Sequence, residues 1–546
     1  MPLSRKVNRL KVVLIDGYLD EPSCLGVPPY ISPHIRYAYG ALLDSGIRKE
    51  NLDYFTIDQL REWGRENISR LENYDLLIII AGTTVPGHYL RGKPVSLKEI
   101  AELGRRLRYP RKVLGGPVTL VIKELAGYDH LCGEIAALDL YRLLTERAVP
   151  QAEIAKFIAG WAVLGAELTV RHPSYPFLVC ELETFRGCLR QRHCAFCSER
   201  LKKIKYRRRP EDIIKEVKAL ASYGNHYFRL GAQPDLLLYQ AEKTASGSFL
   251  PNPDAVLELY RRIREADPAL KVLHLDNINP VNITRYPRES MQILETIVRY
   301  NTPGDVAAFG LESADPLVLE RNNIEARPGE TFRAIEILNG IGGRREEGIP
   351  RLLPGLNFLH GLLGERRETL EYNFNYLKDI LDAGLLLRRI NIRQVLSLGS
   401  YPAAKTDYGS FLKYKEKINE EINRPLLKRV FPVGTVIRNV LLEKRKGKLT
   451  YGRQLGSYPI LIGIPGQLEL NSFIDVRVVD HGYRSLTALP WPFSVKEAGI
   501  EQLSAIPGIG KKRALRLFLA RSDSPAEVRR VLGSDFPEEV IKEWLS

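Results

Sequence analysis

The sequence predicts an α/β protein with several domains, and three observations lead to this prediction. The chain has 546 residues, which is too long for a single hydrophobic core. Short apolar runs alternate with helical stretches from Lys11 to about residue 400, a pattern typical of parallel sheets covered by helices. After residue 430 the pattern changes to short alternating strands separated by turns. We therefore expect two α/β units, then a small β-barrel and a helical tail.

The first unit is predicted to be a doubly wound, Rossmann-like sheet over residues 1–150. Its strands are expected in KVVLIDG, YDLLIIIAG and RKVLGGPVTL, which are nearly continuous apolar runs suited to burial on both faces. Ligands of such sheets bind at the carboxyl ends of the strands. Gly115 and Gly116 lie at one of these ends, where glycine allows a ligand to approach the backbone closely. Residues 151–174 are expected to be a linker.

Three cysteines are clustered in the segment ETFRGCLRQRHCAFCSER, with the spacing C-x5-C-x2-C. Cys188, Cys194 and Cys197 are one ligand short of a closed tetrahedral metal site. An iron–sulfur cluster held in this way keeps one iron free for another ligand. The alternative is a structural zinc site completed by His193 or Cys180. Six cysteines in a chain of this length, half of them clustered, favour a reducing cytoplasm over a disulfide framework.

The cysteine segment resembles the cluster loop of radical SAM enzymes, including the aromatic residue, Phe196, that precedes the third cysteine. The commonest spacing in that superfamily is C-x3-C-x2-C, so the first interval is longer here by two residues. The resemblance implies a [4Fe-4S] cluster on the three cysteines and S-adenosylmethionine on the open iron. It also implies a partial (β/α)6 barrel over residues 175–405 and a low-potential electron donor such as ferredoxin or flavodoxin.

Five segments resemble the strand ends of that superfamily's barrel, in the same order along the chain. The first, Gly231-Ala232-Gln233-Pro234, stands where the family has a Gly-Gly-Glu-Pro turn that receives the methionyl ammonium of S-adenosylmethionine. Gln233 keeps an acceptor but lacks the charge of glutamate. The ordered series favours the radical SAM interpretation over zinc. By the same resemblance, the other segments imply contacts to the sugar, the adenine or the substrate, and they contribute Asn277, Asn279, Gly310, Glu312, Ser313, Gly355, His360, Gly361, Glu365, Arg393 and Gln394.

The N-terminal unit resembles the cobalamin-binding domains of class B radical SAM enzymes. The resemblance lies in residues 28–33, in Gly115-Gly116-Pro117 and in Gly133-Glu134, and it implies cobalamin as a further cofactor. No D-x-H-x-x-G signature is present, so a cobalamin would bind without a histidine ligand. The alternative is a flavodoxin-like domain that has lost its cofactor and serves as a docking surface.

The last third of the chain predicts a helical linker over residues 406–430, a five-stranded β-barrel over 431–492 and a helical tail over 493–546. The barrel resembles the TRAM domain, an RNA-binding module of tRNA methylthiotransferases and of certain RNA methyltransferases; the alternative is a barrel used for domain packing. The tail segment IPGIGKKRA resembles a helix-hairpin-helix, whose glycine turn offers backbone amides to a phosphate. The predicted nucleic-acid contacts are Arg445, Lys446, Arg453, Arg484, Gly508, Gly510, Lys511 and Lys512.

The net charge of +15 and the isoelectric point near 9.3 favour a polyanionic partner. No run of eighteen apolar residues is present, so we expect no membrane partner. Together with the resemblances, this predicts a cytoplasmic radical SAM enzyme that methylates an unactivated carbon of tRNA or rRNA through a 5′-deoxyadenosyl radical.

Three alternatives to this function remain. The first is methylthiotransferase-like sulfur insertion into tRNA, which needs three further N-terminal cysteines, of which Cys24 alone lies at a suitable strand end. The second is a radical SAM enzyme that acts on a protein or a small molecule. The third is a nucleic-acid-binding protein whose cluster is structural.

Overall fold

The structure, a computed structural model, describes residues 7–21, 24–83, 89–397, 399–403, 407–533 and 536–544. Along these residues an open parallel sheet is followed by a partial α/β barrel, a closed five-stranded β-barrel and a set of C-terminal helices. The predicted α/β class is confirmed, including the small closed barrel. Among the described helices, none is both long and apolar enough to cross a membrane.

The N-terminal sheet is parallel throughout. Its central strands are completely buried, as their continuous apolar runs predict, because helices cover both faces. One face packs against Pro33–Asp44 and Ala136–Thr145, and the other packs against Ile57–Asn67 and Leu97–Arg106. In order across the sheet, the strands are Leu52–Thr56, Val12–Asp16, Leu76–Ile80, Arg111–Gly115 and His130–Leu131.

The segment expected to be a linker contains a helix, so the prediction of a linker over residues 151–174 is wrong. The helix Ile154–Leu164 packs against both Pro33–Asp44 and Pro210–Ser222. Its contact with the first of these is close, because a Cβ on Gly40 would lie 2.1 Å from the carbonyl oxygen of Trp161. The helix therefore joins the N-terminal unit to the helical layer of the partial barrel.

Replacing Gly40 with alanine tests this helix contact. The added methyl group has no room beside Trp161, and we expect the variant to lose about 1–3 kcal/mol of unfolding free energy, as overpacked cores do. Gly160→Ala is the matched control, because the structure shows nothing within 4 Å of a Cβ there and alanine is the better helix former. Chemical denaturation measures both changes. A Gly40→Ala variant as stable as the wild type would contradict the packing of this helix.

The partial barrel has six parallel strands arranged as two sheets of three. The bridge between Asn277 and Ala308 connects the two sheets. A short strand from the N-terminal unit, Tyr30–Ile31, pairs with the first barrel strand and extends the first sheet. The N-terminal unit therefore forms part of the barrel wall. The six strands are Val179–Glu183, Tyr227–Gly231, Val272–Leu275, Asp305–Glu312, Leu352–His360 and Arg389–Gln394.

The helices around these strands mostly begin with proline, which suits the first helical position because no backbone N–H is needed there. They are Pro210–Ser222, Pro253–Ala266, Pro280–Arg285, Pro287–Tyr300, Pro316–Arg321, Pro328–Gly342 and Arg367–Asp382. Short antiparallel ribbons pair Asp20–Glu21 with Cys24–Leu25, Phe185–Arg186 with Tyr206–Arg207, Glu242–Lys243 with Phe249–Leu250 and Arg345–Glu346 with Ile349–Pro350.

The C-terminal third begins with a helical stretch and continues into the closed β-barrel. The helical segments are Tyr408–Ile418, Asn419–Asn423 and Arg424–Val430. The barrel strands, in order around the barrel, are Val436–Lys446, Leu449–Gln454, Leu461–Pro465, Ser485–Trp491 and Phe473–His481. The tail contains Ile500–Ala505, Lys511–Ala520, Pro525–Leu532 and Glu538–Trp544, and its apolar residues form a core of their own.

Candidate active site

The three clustered cysteines lie on one loop that follows the first barrel strand. The ribbon of Phe185–Arg186 with Tyr206–Arg207 closes the base of this loop. Cys188, Cys194 and Cys197 are free and partly buried, and all three line one cavity of about 190 Å³. The loop thus brings three thiols to the carboxyl ends of the strands, where ligands of parallel barrels bind.

The surroundings of the thiols fit an iron–sulfur cluster. Burial raises the pKa of the Cys188 thiol to about 11 and also raises the pKa values of Cys194 and Cys197. Three thiolates in this cavity therefore need a cationic centre, which bound iron supplies. Arg190 adds positive charge, since its guanidinium donates to Cys194 Sγ at 2.9 Å and pairs with Glu325 at 3.0 Å. Arg190 lies within the longer first interval of the motif, and sequence reasoning missed it.

The described residues do not support the zinc alternative. No three His, Cys, Asp or Glu side chains among them are placed to hold one metal ion, whereas zinc needs four ligands at about 2.0–2.3 Å from a single point. A [4Fe-4S] cluster is larger and binds each thiolate through a different iron. Cys180 is completely buried in the first barrel strand, and His193 is not among the residues that line the cavity.

The Gly-Ala-Gln-Pro turn borders this cavity, with Pro234 in its wall. Gly231 is required there, because a Cβ would lie 2.0 Å from the Glu181 carboxylate, and Ala232 N–H donates to the same carboxylate at 3.2 Å. Gln233 is completely buried behind the wall, and its Nε2 donates to the Leu230 carbonyl at 3.2 Å. Its Oε1 has no hydrogen-bond partner. An unpaired buried acceptor is unfavourable, so this atom fits an ammonium donor such as that of S-adenosylmethionine.

Five more of the residues named in the sequence analysis line the cavity with the cysteines: Phe196, Asn277, Asn279, Gly310 and Glu312. Asn277 Nδ2 donates to the Gln233 carbonyl at 3.3 Å and so ties two strand ends together. Asn279 Oδ1 caps the next helix by accepting from Val281 N–H at 3.2 Å. Burial raises the pKa of the Glu312 carboxyl to about 8, against the opposing charge of Arg393. The cavity therefore combines the thiols with amides and one carboxyl that burial holds protonated at neutral pH.

Ser313, His360 and Gly361 do not line the cavity, and the structure gives them supporting positions. Ser313 Oγ accepts from Asp315 N–H at 3.1 Å. His360 is buried, and its Nδ1 lies 2.9 Å from Glu365 Oε1. Gly361 has a φ of +86° and donates its N–H to Glu365 Oε2. Ser313 thus shapes the turn after the fourth barrel strand, and His360 and Gly361 shape the turn after the fifth. Their contact with a cofactor stays a prediction.

A second cavity, of about 200 Å³, adjoins the first and shares Phe196, Cys197 and Glu312 with it. Arg393 and Gln394 line it from the last barrel strand, as predicted for inward-facing residues. Residues from the N-terminal unit and from the β-barrel complete its wall. These are Asp20, Glu21, Leu25, Thr83 and Tyr458. The second cavity therefore lies against the cluster loop, between the partial barrel, the N-terminal unit and the β-barrel.

Tyr458 reaches this cavity on a loop of the β-barrel that is anchored in the partial barrel. Ser457 N–H donates to His274 Nδ1 at 2.8 Å, and Ser457 Oγ donates to the Leu275 carbonyl at 2.7 Å. The Tyr458 hydroxyl donates to Asp276 Oδ1 at 2.5 Å and accepts from Arg229 at 3.1 Å. The residues joined by these contacts are about 180 positions apart in the sequence. No local sequence pattern indicates such contacts.

The N-terminal glycines predicted to approach a cofactor are packed against protein instead. A Cβ on Gly115 would lie 2.5 Å from Ala136 Cβ, and one on Gly116 would lie 2.7 Å from the Ala81 carbonyl oxygen. The cavity of about 200 Å³ meets the N-terminal unit at Asp20, Glu21, Leu25 and Thr83. Cobalamin binding by this unit stays a prediction.

The residues predicted to contact nucleic acid fall into four groups. Arg445, Lys446, Lys511 and Lys512 are exposed, the first two on a hairpin of the β-barrel and the others where a tail helix begins. Gly508, with a φ of +81°, and Gly510 form the turn before that helix. Arg484 is exposed beside a separate cavity. Arg453 turns inward, pairing with Glu443 and donating to the Pro28 carbonyl, so its prediction as a nucleic-acid contact is wrong.

Two relatives resemble the chain over nearly its whole length. An uncharacterized protein of Archaeoglobus fulgidus is 41% identical over 97% of this chain and 97% of its own length. An uncharacterized protein of Methanocaldococcus jannaschii is 40% identical over 87% of this chain and 92% of its own length. Both matches therefore cover most of this chain and most of the relative's own length.

Two solved structures are similar to the chain. One is the radical S-adenosylmethionine methyltransferase TsrM from Kitasatospora setae, solved with cobalamin and a [4Fe-4S] cluster. It is 15% identical, has a TM-score of 0.48, and the match covers 72% of this chain and 76% of TsrM. The other is OxsB, described as a cobalamin-dependent S-adenosylmethionine radical enzyme. It is 12% identical, has a TM-score of 0.46, and the match covers 76% of this chain and 56% of OxsB.

The family model described as the radical SAM superfamily matches residues 182–377. Enzymes of that superfamily use a [4Fe-4S] cluster and S-adenosylmethionine and need an electron donor. Because this match spans the cysteine loop and most of the partial barrel, this part of the chain is a radical SAM domain.

Proposed function

We propose that this radical SAM enzyme modifies a carbon atom of a nucleic acid, tRNA or rRNA, in the second cavity. The observation that carries the proposal is the anchored loop of the β-barrel, since Tyr458 lies in the same cavity as Cys197. A macromolecule held on the β-barrel would thus be next to the site of chemistry. When bound, the cluster and S-adenosylmethionine supply the radical that removes a hydrogen atom from carbon.

Exposed positive charge on the β-barrel and the tail supports a polyanionic substrate. Lys444, Arg445 and Lys446 project from one hairpin and are exposed. Lys511 and Lys512 begin the tail helix whose N-terminus follows the glycine turn. Backbone amides at such a terminus and nearby lysines suit phosphate, and they bind nucleic acid without reading its sequence. Two separated basic surfaces on one chain would hold a folded RNA at two points.

Addition of a methyl group is our proposal for the reaction, with cobalamin, when bound, as the carrier that supplies the methyl group. Methylthio addition is the alternative, and the mass of the product distinguishes the two. The other cysteines do not offer a second cluster. Cys24, Cys132 and Cys180 are each buried, with at most 4% of their surface exposed. Cys132 packs beside Gly115, and Cys180 lies within a barrel strand. Ferredoxin or flavodoxin would serve as the electron donor.

Charge reversal in the tail tests the contact to RNA. We expect the double variant Lys511→Glu/Lys512→Glu to bind bulk tRNA several-fold more weakly, with a salt dependence shallower by about one to two phosphate contacts. Fluorescence anisotropy at several salt concentrations measures both. Lys98→Glu, on an exposed N-terminal helix, is the matched control and should bind as the wild type does. If both variants weakened tRNA binding equally, the cause would be the change in net charge, and a defined contact between the tail and RNA would be contradicted.

The substrate itself is tested by nucleoside mass spectrometry of tRNA and rRNA from a strain that lacks the protein. We expect one modified nucleoside to disappear, and its mass to identify the added group. A strain complemented with a Cys194→Ala variant should stay deficient. If no nucleoside changes in either RNA, the proposed function is contradicted.

A further inference from the structure

Four arginines line the second cavity and an outer cavity that adjoins it. An outer cavity of about 220 Å³ is lined by Arg388, Arg389 and Arg484 together with Tyr458 and Tyr483. Arg389 and Tyr458 also line the second cavity, where Arg393 lies beyond them. The two cavities therefore adjoin at Arg389 and Tyr458, and we call the group of Arg388, Arg389, Arg393 and Arg484 the arginine channel.

The positive charge in the arginine channel has little compensation from acidic groups. Among the described residues, no carboxylate lies within ion-pair distance of Arg388, Arg389 or Arg484, and Arg393 has Asp20 at 4.0 Å. Arg388 Nε is buried without a hydrogen-bond partner. Asp20, Glu21 and Glu312 line the second cavity, whereas no acidic residue is among those that line the outer cavity. Asp276 pairs with Arg229 and accepts from Tyr458, and Glu420 accepts from Tyr483.

The guanidinium groups are held in place by aromatic rings instead of by acids. Arg389 lies over the Tyr458 ring at 3.9 Å, and Arg388 lies over the Phe431 ring at 4.9 Å. Burial, as the largest cause, and the charge of the neighbouring Arg389 together lower the pKa of Arg388 to about 10. Gathering uncompensated cations in a partly dry cavity is unfavourable. A bound anion would remove that penalty, and the planar guanidinium suits the oxygens of phosphate.

We propose that the arginine channel binds phosphate groups of the substrate and so leads its target nucleotide to the cluster loop. The proposal rests on the proposed function for the ligand's source, a phosphodiester of RNA. The site itself recognises phosphate, which a free nucleotide also carries. Phosphates would lie against Arg388 and Arg484 in the outer cavity. The adjoining nucleoside would pass Tyr458 into the second cavity, beside Cys197 and Glu312.

The test compares the Arg388→Gln/Arg484→Gln variant with the wild-type holoenzyme in two binding experiments. In the first, tRNA binding should weaken about tenfold, with a shallower salt dependence, because two phosphate contacts are lost. In the second, inorganic pyrophosphate should raise the melting temperature of the wild type and not that of the variant. Without pyrophosphate the variant should melt at the wild-type temperature or above it, since a repulsive cluster has been relieved. Arg333→Gln, an exposed helix residue, is the control and should change neither result.

The outcomes separate this proposal from the proposed function. In one outcome, pyrophosphate raises the melting temperature of the wild type and not that of the variant, but tRNA binds neither protein. The arginine channel is then an anion site for a free phosphate compound, and the RNA substrate is rejected. If tRNA binds both proteins equally and pyrophosphate has no effect, the arginine channel is rejected while an RNA substrate stands. The single variant Arg484→Gln, on an exposed turn, repeats both experiments if the double variant fails to fold.

Discussion

Replacing Cys194 with alanine is expected to abolish cluster assembly and with it all cleavage of S-adenosylmethionine. The three thiols line one cavity, and an iron–sulfur cluster on three cysteines has no spare ligand. Loss of one thiolate therefore leaves one further iron of the cluster without its protein ligand. Iron and sulfide analysis after anaerobic reconstitution, together with the absorbance of the cluster, measures the effect. We expect iron and sulfide to fall to background.

Cys180→Ala is the matched control for this experiment. Cys180 lies in the first barrel strand, completely buried and away from the cavity. Its replacement removes one sulfur from the core and should lower stability modestly while leaving iron and sulfide at wild-type levels. A Cys194→Ala variant that retains the wild-type iron and sulfide would contradict the assignment of the cluster ligands.

Replacing Arg229 with methionine is expected to lower the free energy of unfolding by about 3–5 kcal/mol, the range for a broken buried ion pair. The Arg229 guanidinium is completely buried between Glu181 and Asp276 and pairs with both. It also donates to Ser457 Oγ at 2.9 Å. Methionine fills much of the same volume but leaves two carboxylates without their cation. Denaturant unfolding measures the loss, and the β-barrel should come loose from the partial barrel.

Arg261→Met is the control for the ion-pair experiment. Its partner, Glu265, lies one turn further along the same helix, and more than half of each side chain is exposed. An exposed pair of this kind contributes less than about 1 kcal/mol. Limited proteolysis provides a second measurement, since loosening at the Ser457 loop should expose the chain near that loop in the Arg229 variant alone. Equal stability of the two variants would contradict the role of Arg229 as the anchor.

The sequence allowed the cluster ligands and the order of the barrel strands to be predicted because both depend on local patterns. Cys188, Cys194 and Cys197 are close in sequence, and each barrel strand is a short apolar run that ends in polar residues. Asn277 and Glu312 were predicted at such strand ends, and they line the cavity with the cysteines. The five-stranded β-barrel was also predicted from alternating strands and turns.

Other features depend on contacts between distant parts of the chain and could not be predicted in this way. Tyr30–Ile31 joins the barrel sheet because it meets the first barrel strand in space. Tyr458 contacts Arg229 and Asp276, which are far from it in the sequence. Gly115 showed the backbone freedom of a ligand-binding turn, yet its space is taken by Ala136. In each case the local sequence fixed the conformation of the chain, and tertiary packing decided what the residue contacts.

Formation of 5′-deoxyadenosine by the reconstituted wild-type protein, under reduction and without oxygen, is the most direct test of the central claim. The assay is run with S-adenosylmethionine alone and with tRNA and rRNA from a strain that lacks the protein. We predict 5′-deoxyadenosine in both conditions, more of it with the RNA, and none with the Cys194→Ala variant. A reconstituted protein with a full cluster that forms no 5′-deoxyadenosine in either condition would contradict the account.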